Sequence, residues 1–154
     1  MLTELDIFYM QIAINEAKIA ETNGDIPCGA VIVMDEKIIG KAHNQTELLN
    51  DPTAHAEILA ITQASQAIGN WRLCNARMYV TKEPCIMCSG AIIQARISDI
   101  LWGMSDQKRG GASSKLNIFN NTILNHSVKT HAGIMELECT ELMKSFFKKI
   151  RKKD

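Results

Sequence analysis

The feature that most restricts how this chain can fold is a pair of proline-containing turns. Each runs straight into an apolar helix start: Pro52-Thr53-Ala54-His55-Ala56-Glu57 and Glu83-Pro84-Cys85-Ile86-Met87-Cys88. Cys85 and Cys88 are three apart, so on a helix they share one face, one turn from each other. At a helix N-terminus the free amides and the dipole favour thiolate over thiol. One imidazole and two thiolates make three protein ligands, the number a catalytic zinc site uses while keeping one position open for water. The fold must therefore bring two helix starts that are distant in the chain to one point.

The patterning around these turns predicts an α/β domain. Apolar residues at helical spacing (Leu5, Phe8, Ile12, Ile19, with Ala13, Ala17 and Ala20 between) predict an amphipathic helix over 3–22, ended by Asn23-Gly24. Segments 30–34 and 37–42, joined by Asp35-Glu36, read as a β-hairpin. Asp51-Pro52-Thr53 opens a helix to about 67, with Thr53 as a possible N-cap. Strands at 77–81 and 99–103 flank a helix over 85–94. A polar, glycine-containing loop over 105–114 and a short element at 116–119, counted as a possible fifth strand, follow. The last helix spans about 133–150, with Leu137, Leu142, Phe146 and Ile150 as its apolar positions. This order predicts three layers around a mixed sheet of about five strands, in one domain over 1–154. Strands joined through helices are expected to be parallel neighbours linked by right-handed crossovers.

Composition narrows the class. A chain of 154 residues that is 46% hydrophobic can bury a sizeable core without cross-links. Its 17 basic residues balance its 17 acidic ones, which argues against a large surface tracking a nucleic-acid backbone. The basic residues are unevenly placed, however: Lys144, Lys148, Lys149, Arg151, Lys152 and Lys153 crowd the C-terminus, and Lys108 and Arg109 sit in the glycine-containing loop. No apolar run approaches membrane-spanning length and no signal-peptide pattern precedes the first helix, so a cytoplasmic protein is expected. Five cysteines, an odd number, then read as thiols or metal ligands. Cys28, Cys74 and Cys139 lack paired spacing and read as small buried apolar side chains.

Glu57 lies two residues beyond His55, adjacent to the metal position but directed away from the imidazole around the helix. A carboxylate there suits proton transfer better than ligation. His-x-Glu together with Pro-Cys-x-x-Cys is the signature of zinc deaminases, in which zinc makes water a nucleophile near neutral pH and the glutamate carries protons to the ring nitrogen and the departing amine.

From Gly24-Asp25-Ile26-Pro27 to the last helix the chain resembles the bacterial tRNA-specific adenosine deaminases. The likeness runs through Ile26-Pro27-Cys28-Gly29-Ala30-Val31, Asn44, the stretch from Asp51 to Ile58, the stretch from Tyr79 to Cys88, Asn125-His126, and Ser145-Phe146-Phe147-Lys148-Lys149. The resemblance implies a cytidine-deaminase-like three-layer fold, usually a homodimer, that converts the wobble adenosine of a tRNA anticodon to inosine. It implies one zinc per chain on His55, Cys85 and Cys88, with Glu57 as proton shuttle. Asn44 would hydrogen-bond the flipped base and Ala30 would line its pocket. Asp106 would lie near the nucleotide's sugar, and Lys108, Phe146 and Arg151 would meet the anticodon stem-loop.

Ser113 and Lys115 stand where that family usually has glycine and leucine, and Lys82 replaces a common apolar residue. These departures fall near the substrate mouth and leave a free-base deaminase, acting on guanine or cytosine, as the alternative. A non-catalytic subunit that keeps zinc for stability is a third reading, against which Glu57 stands. Taken alone, Asn44 reads as a turn residue, Asp106 as a loop acid, and His126 and His131 as local hydrogen-bonding groups. Trp71 and Trp102 read as core or interface anchors. Of the adjacent Phe146 and Phe147, one should face the core and the other solvent.

Overall fold

Alternation along the strands decides the architecture. Ala30, Ile32, Met78, Val80, Ile100 and Trp102 are buried on one side of the sheet, and Val31, Val33, Tyr79 and Leu101 on the other. Strands buried on both faces need helices on both faces. The computed structural model, which describes residues 2–121 and 123–153, meets that need. Helix α1 (Glu4–Thr22) leads into the hairpin β1 (Gly29–Met34) and β2 (Lys37–His43). The short α2 (Thr46–Leu49), α3 (Ala56–Ile68), β3 (Arg77–Lys82), α4 (Ile86–Gln94) and β4 (Asp99–Met104) follow. A 3-10 turn at Ile118–Asn120, β5 (Lys129–Ala132) and α5 (Glu136–Lys153) complete the order. Alanines of α3 pack with Ile92 of α4 in one layer, and α1 packs with Ile134 and Cys139 in the other.

The sheet order is β2-β1-β3-β4-β5. β1 pairs antiparallel with both β2 and β3, whereas β3/β4 and β4/β5 are parallel. The expectation of parallel neighbours across each helix therefore holds for β3 and β4 but not for β2 and β3, which β1 separates. The cause is legible in the residues. β1 is almost wholly apolar and suits a central position, while β2 exposes Lys37, Ile38 and Lys41 and suits an edge.

Two further expectations are corrected. The fifth strand is Lys129–Ala132, not 116–119, where the chain makes a 3-10 turn that plugs Phe119 into the core. Helix α3 begins at Ala56, and Thr53 does not cap it. Asp51 Oδ1 instead accepts both the backbone N–H and the hydroxyl of Thr53, at 2.8 and 2.7 Å, closing the turn before the helix.

Close approach governs the helix faces. A Cβ on Gly29 would come within 2.7 Å of the Ala17 nitrogen, so β1 lies almost against α1. Only small side chains fit there, and Ala13, Ala17 and Ala20 are fully buried while Leu5, Phe8 and Ile19 are exposed. On α5 the buried stripe is Cys139, Met143 and Phe146; Leu137 faces outward and Ile150 is exposed beside Phe146 and Phe147.

Candidate metal centre and substrate cleft

The two proline turns meet at one end of the sheet, where the β3-to-α4 connection passes the start of α3. His55 is the N-cap of α3 and Cys85 the N-cap of α4, both with extended backbones that release the side chain from the helix. Cys88 lies in the first turn of α4. Asn44, at the end of β2, fixes the other helix: its Oδ1 accepts the Ala56 backbone N–H at 2.9 Å, and its own N–H donates to the Cys28 carbonyl at 3.0 Å.

The donor atoms match a tetrahedral ion. His55 Nδ1 lies 3.7 Å from Cys85 Sγ and 3.5 Å from Cys88 Sγ, and all three ligand atoms fall within 4.8 Å of one another. Zn–N of about 2.0 Å and Zn–S of about 2.3 Å at the tetrahedral angle imply edges of about 3.5–3.8 Å. Among the described residues no fourth His, Cys, Asp or Glu joins the cluster. Three ligands leave one coordination position, as a catalytic rather than a structural site requires. Cys28 and Cys139 are buried as expected, whereas Cys74 is exposed.

Protonation within the cluster is already biased toward ligation. A hydrogen bond from the Cys88 thiol, together with His55, holds the Cys85 thiol down to about 3. Cys88 is pushed up by the thiolate it donates to and by burial, so a metal must displace its proton. The hydrogen bond to Cys85 raises His55.

Glu57, in the first turn of α3, is 3% exposed and faces the same cleft. Burial pushes its carboxyl above the usual carboxylate range, the direction that suits a group exchanging protons near neutral pH. The Cys28 thiol donates to its Oε1 at 3.8 Å.

The cleft has a volume of about 550 Å³ and runs from the cysteines past Asn44 and Glu57 to Phe146 and Phe147 of α5. Phe146 is buried and Phe147 exposed, yet both line it. Asp106 lies at the mouth: its Oδ2 pairs with Lys82 Nζ at 3.0 Å, and its Oδ1 accepts the N–H groups of Lys108 and Arg109. Lys108 and Arg151 are exposed and stand outside the cleft lining. The side chain of Lys153 lies outside the described residues. Ala30 is fully buried in the layer beneath α3, and its side chain does not line the cleft.

Arg109 and Glu83 also line the cleft, and sequence reasoning gave neither a role; Lys82, read there only as a departure near the substrate mouth, lines it too. Arg109 carried only a charge signal. Glu83 sits inside the cysteine motif, but nothing in its spacing announces a partner. His126 and His131 do not bond locally: they reach across the fold to the Ile97 carbonyl and to Asp99, and neither joins the metal cluster. Trp102 is core, while Trp71 lies at the surface under the Arg72 guanidinium.

A family model of MafB19-like deaminases matches residues 5–151. The tRNA-specific adenosine deaminase of Bacillus subtilis (strain 168) is 42% identical over 148 residues, covering 96% of this chain and 92% of that protein. That of Aquifex aeolicus (strain VF5) is 45% identical over 144 residues, covering 94% and 95%. A structure solved in a study of A-to-I editing by tRNA:A34 deaminases superposes with a TM-score of 0.85 at 40% identity, covering 88% of this chain and 98% of that one. A guanine deaminase from Bacillus subtilis matches with a TM-score of 0.64 at 30% identity, covering 84% and 83%. The fold and site thus define a hydrolytic deaminase of the cytidine-deaminase-like class. Within that class the chain belongs to the tRNA-specific adenosine deaminase family, and to the MafB19-like deaminases matched by the family model.

Proposed function

We propose that this chain hydrolyses the 6-amino group of the wobble adenosine in a tRNA anticodon, leaving inosine and ammonia, with one zinc ion on His55, Cys85 and Cys88. The observation that carries this reading is a buried carboxylate, Glu57, beside a three-ligand cluster at the inner end of a cleft. When bound, zinc supplies a Lewis acid that makes water a nucleophile near neutral pH.

The chain's own residues do the rest. Glu57 takes a proton from the attacking water and gives it to the ring nitrogen of adenine, then takes the proton of the hydroxyl now on C6 and passes it to the departing amine as the carbonyl forms. Asn44 spends its Oδ1 on Ala56, which leaves its Nδ2 amide to donate to the base. An anticodon loop suits the cleft because its bases are already unpaired and cheap to extrude.

Asp106 is read as the partner of the nucleotide's sugar. Lys108 and Arg151 would hold phosphates outside the cleft, and Phe146 would form its far wall. Ala30, buried beneath α3, would back the base pocket without lining it. The functional unit is proposed to be a homodimer: Leu48, Leu49 and Ile86 are 65%, 51% and 57% exposed next to cleft-lining residues, apolar surface that a second copy would cover. Among the described residues no helix is long and apolar enough to cross a membrane. The thiols of the cluster suit a reducing compartment, which supports the cytoplasm as the proposed location.

The test is ammonia release from an anticodon stem-loop with a wobble adenosine, run beside free adenine, guanine and cytosine. Release from the stem-loop alone is expected. Release from a free base with the stem-loop untouched would move the protein to nucleobase metabolism.

A further inference from the structure

Glu83 is 2% exposed, yet its carboxylate has no part in the metal cluster. Both oxygens are turned into the glycine-containing loop 106–114. Oε1 accepts the Asp106 backbone N–H at 3.1 Å and the Ser114 hydroxyl. Oε2 accepts the N–H groups of Ala112, Ser113 and Ser114 at 3.2, 2.9 and 3.0 Å. All five donors are neutral and belong to one loop. Successive backbone N–H groups converging on one anion form a nest, here filled from inside the protein.

The loop is shaped to this carboxylate. A Cβ at Gly110 would collide with Glu83, and one at Gly111 would come within 2.9 Å of Ile86 Cα, so the backbone of 110–111 lies against the cysteine turn. The Gly111 N–H also donates to the Pro84 carbonyl at 2.9 Å. From the nest, contacts run outward to the cleft: Asp106, held by Glu83, accepts the Arg109 N–H at 3.1 Å and pairs with Lys82, and the side chains of Arg109 and Lys82 line the cleft.

We propose that Glu83 is a positioning residue for substrate: its carboxylate is the template on which loop 106–114 folds, and through that loop it sets Arg109 and the Lys82–Asp106 pair to receive the nucleic acid. Glu83 borders the cleft, but both of its carboxylate oxygens are taken up by the loop and neither belongs to the metal cluster. It couples the cysteine turn to the substrate mouth, and its removal weakens substrate capture rather than chemistry. Ser114 takes part through its hydroxyl and its N–H. Ser113, one of the positions where the sequence departs from its family, contributes only a backbone N–H, so its side chain is free to vary.

The inference rests on the RNA reading above, and the experiment separates the two. Wild type, Glu83→Gln, Ser114→Ala, Arg109→Ala and each double variant with Arg109→Ala are assayed on an anticodon stem-loop, with metal content measured on every sample. Wild-type inactivity on RNA would defeat the function reading itself.

With wild type active, Glu83→Gln is expected to keep one zinc per chain, raise KM about tenfold and change kcat by less than about threefold. Ser114→Ala is expected to raise KM less. Adding either change to Arg109→Ala is expected to cost much less than it does alone, the non-additivity of residues acting through one element. An unchanged KM, loss of zinc with a fall in kcat, or additive effects with Arg109→Ala would overturn the proposal. Should Glu83→Gln fail to fold, the Ser114→Ala and Arg109→Ala cycle decides by the same criterion.

Discussion

Asn44 Oδ1 accepts the Ala56 N–H at 2.9 Å, so the residue that closes β2 fixes the peptide between His55 and Glu57. One side chain thereby orients the imidazole and the carboxylate together. Asn44→Ala is expected to lower stability by about 1 kcal/mol, the usual worth of a helix cap, measured by denaturant unfolding. Asn44→Asp keeps the acceptor and should recover most of that stability. It lacks the Nδ2 donor, and its activity should stay low.

Glu57→Gln is expected to retain zinc and lose turnover by about 10²–10⁴-fold, the range for a general acid–base group. Single-turnover rates with metal analysis on the same preparation check this. Near-normal turnover would remove Glu57 from the reaction.

The three-ligand set predicts a sharp division among the cysteines. Cys85→Ala or Cys88→Ala should abolish stoichiometric metal by elemental analysis, whereas Cys28→Ala should retain it. Cys28 contacts Glu57 rather than the cluster. Metal loss in Cys28→Ala would make it a fourth ligand.

Most of the site was legible because its chemistry is local in sequence: the cysteines are one turn apart, and His55 and Glu57 share a first turn. The sheet was less so. Lys129–Ala132 is a polar edge strand with no apolar alternation, so nothing distinguished it from loop. The position of β1 between β2 and β3 depends on which strand can be buried on both sides, a comparison between segments rather than a property of either. The face of α1 was hidden for a related reason. Gly29 brings β1 so close that alanines, not the larger Leu5 and Phe8, form the contact. Glu83 escaped because its partners are backbone N–H groups, which carry no residue-type signal.

Asp6 gives the fold a pH-dependent contribution away from the site. Its Oδ1 accepts the Tyr79 hydroxyl at 2.6 Å and Arg77 Nη1 at 3.0 Å, and its Oδ2 accepts the Thr3 N–H. Burial raises its carboxyl, but the hydrogen bonds from Tyr79 and Thr3 and the Arg77 charge outweigh it and hold the pKa below the usual value. With the folded pKa below the unfolded one, the stabilisation is present above about pH 4 and is lost as pH falls through the lower folded value. Asp6→Asn should cost about 2 kcal/mol at pH 7, with the gap to wild type narrowing as pH falls below about 4. A gap that stayed constant would show that the charge is not what matters.

RNA binding should weaken steeply with salt, and Arg109→Ala should reduce the log–log salt slope by about one while leaving zinc in place. Filter binding of a stem-loop across a salt series measures it. A salt-independent affinity would detach the basic groups from RNA recognition.

The most direct measurement maps where inosine forms. Wild type and Glu57→Gln are incubated with a tRNA bearing adenosines at the wobble position and elsewhere in the loop, and the product is read by sequencing. The expected result is inosine at the wobble position alone, made by wild type and not by the variant. Deamination spread over the loop adenosines, or an unmodified tRNA beside a deaminated free base, would contradict the assignment.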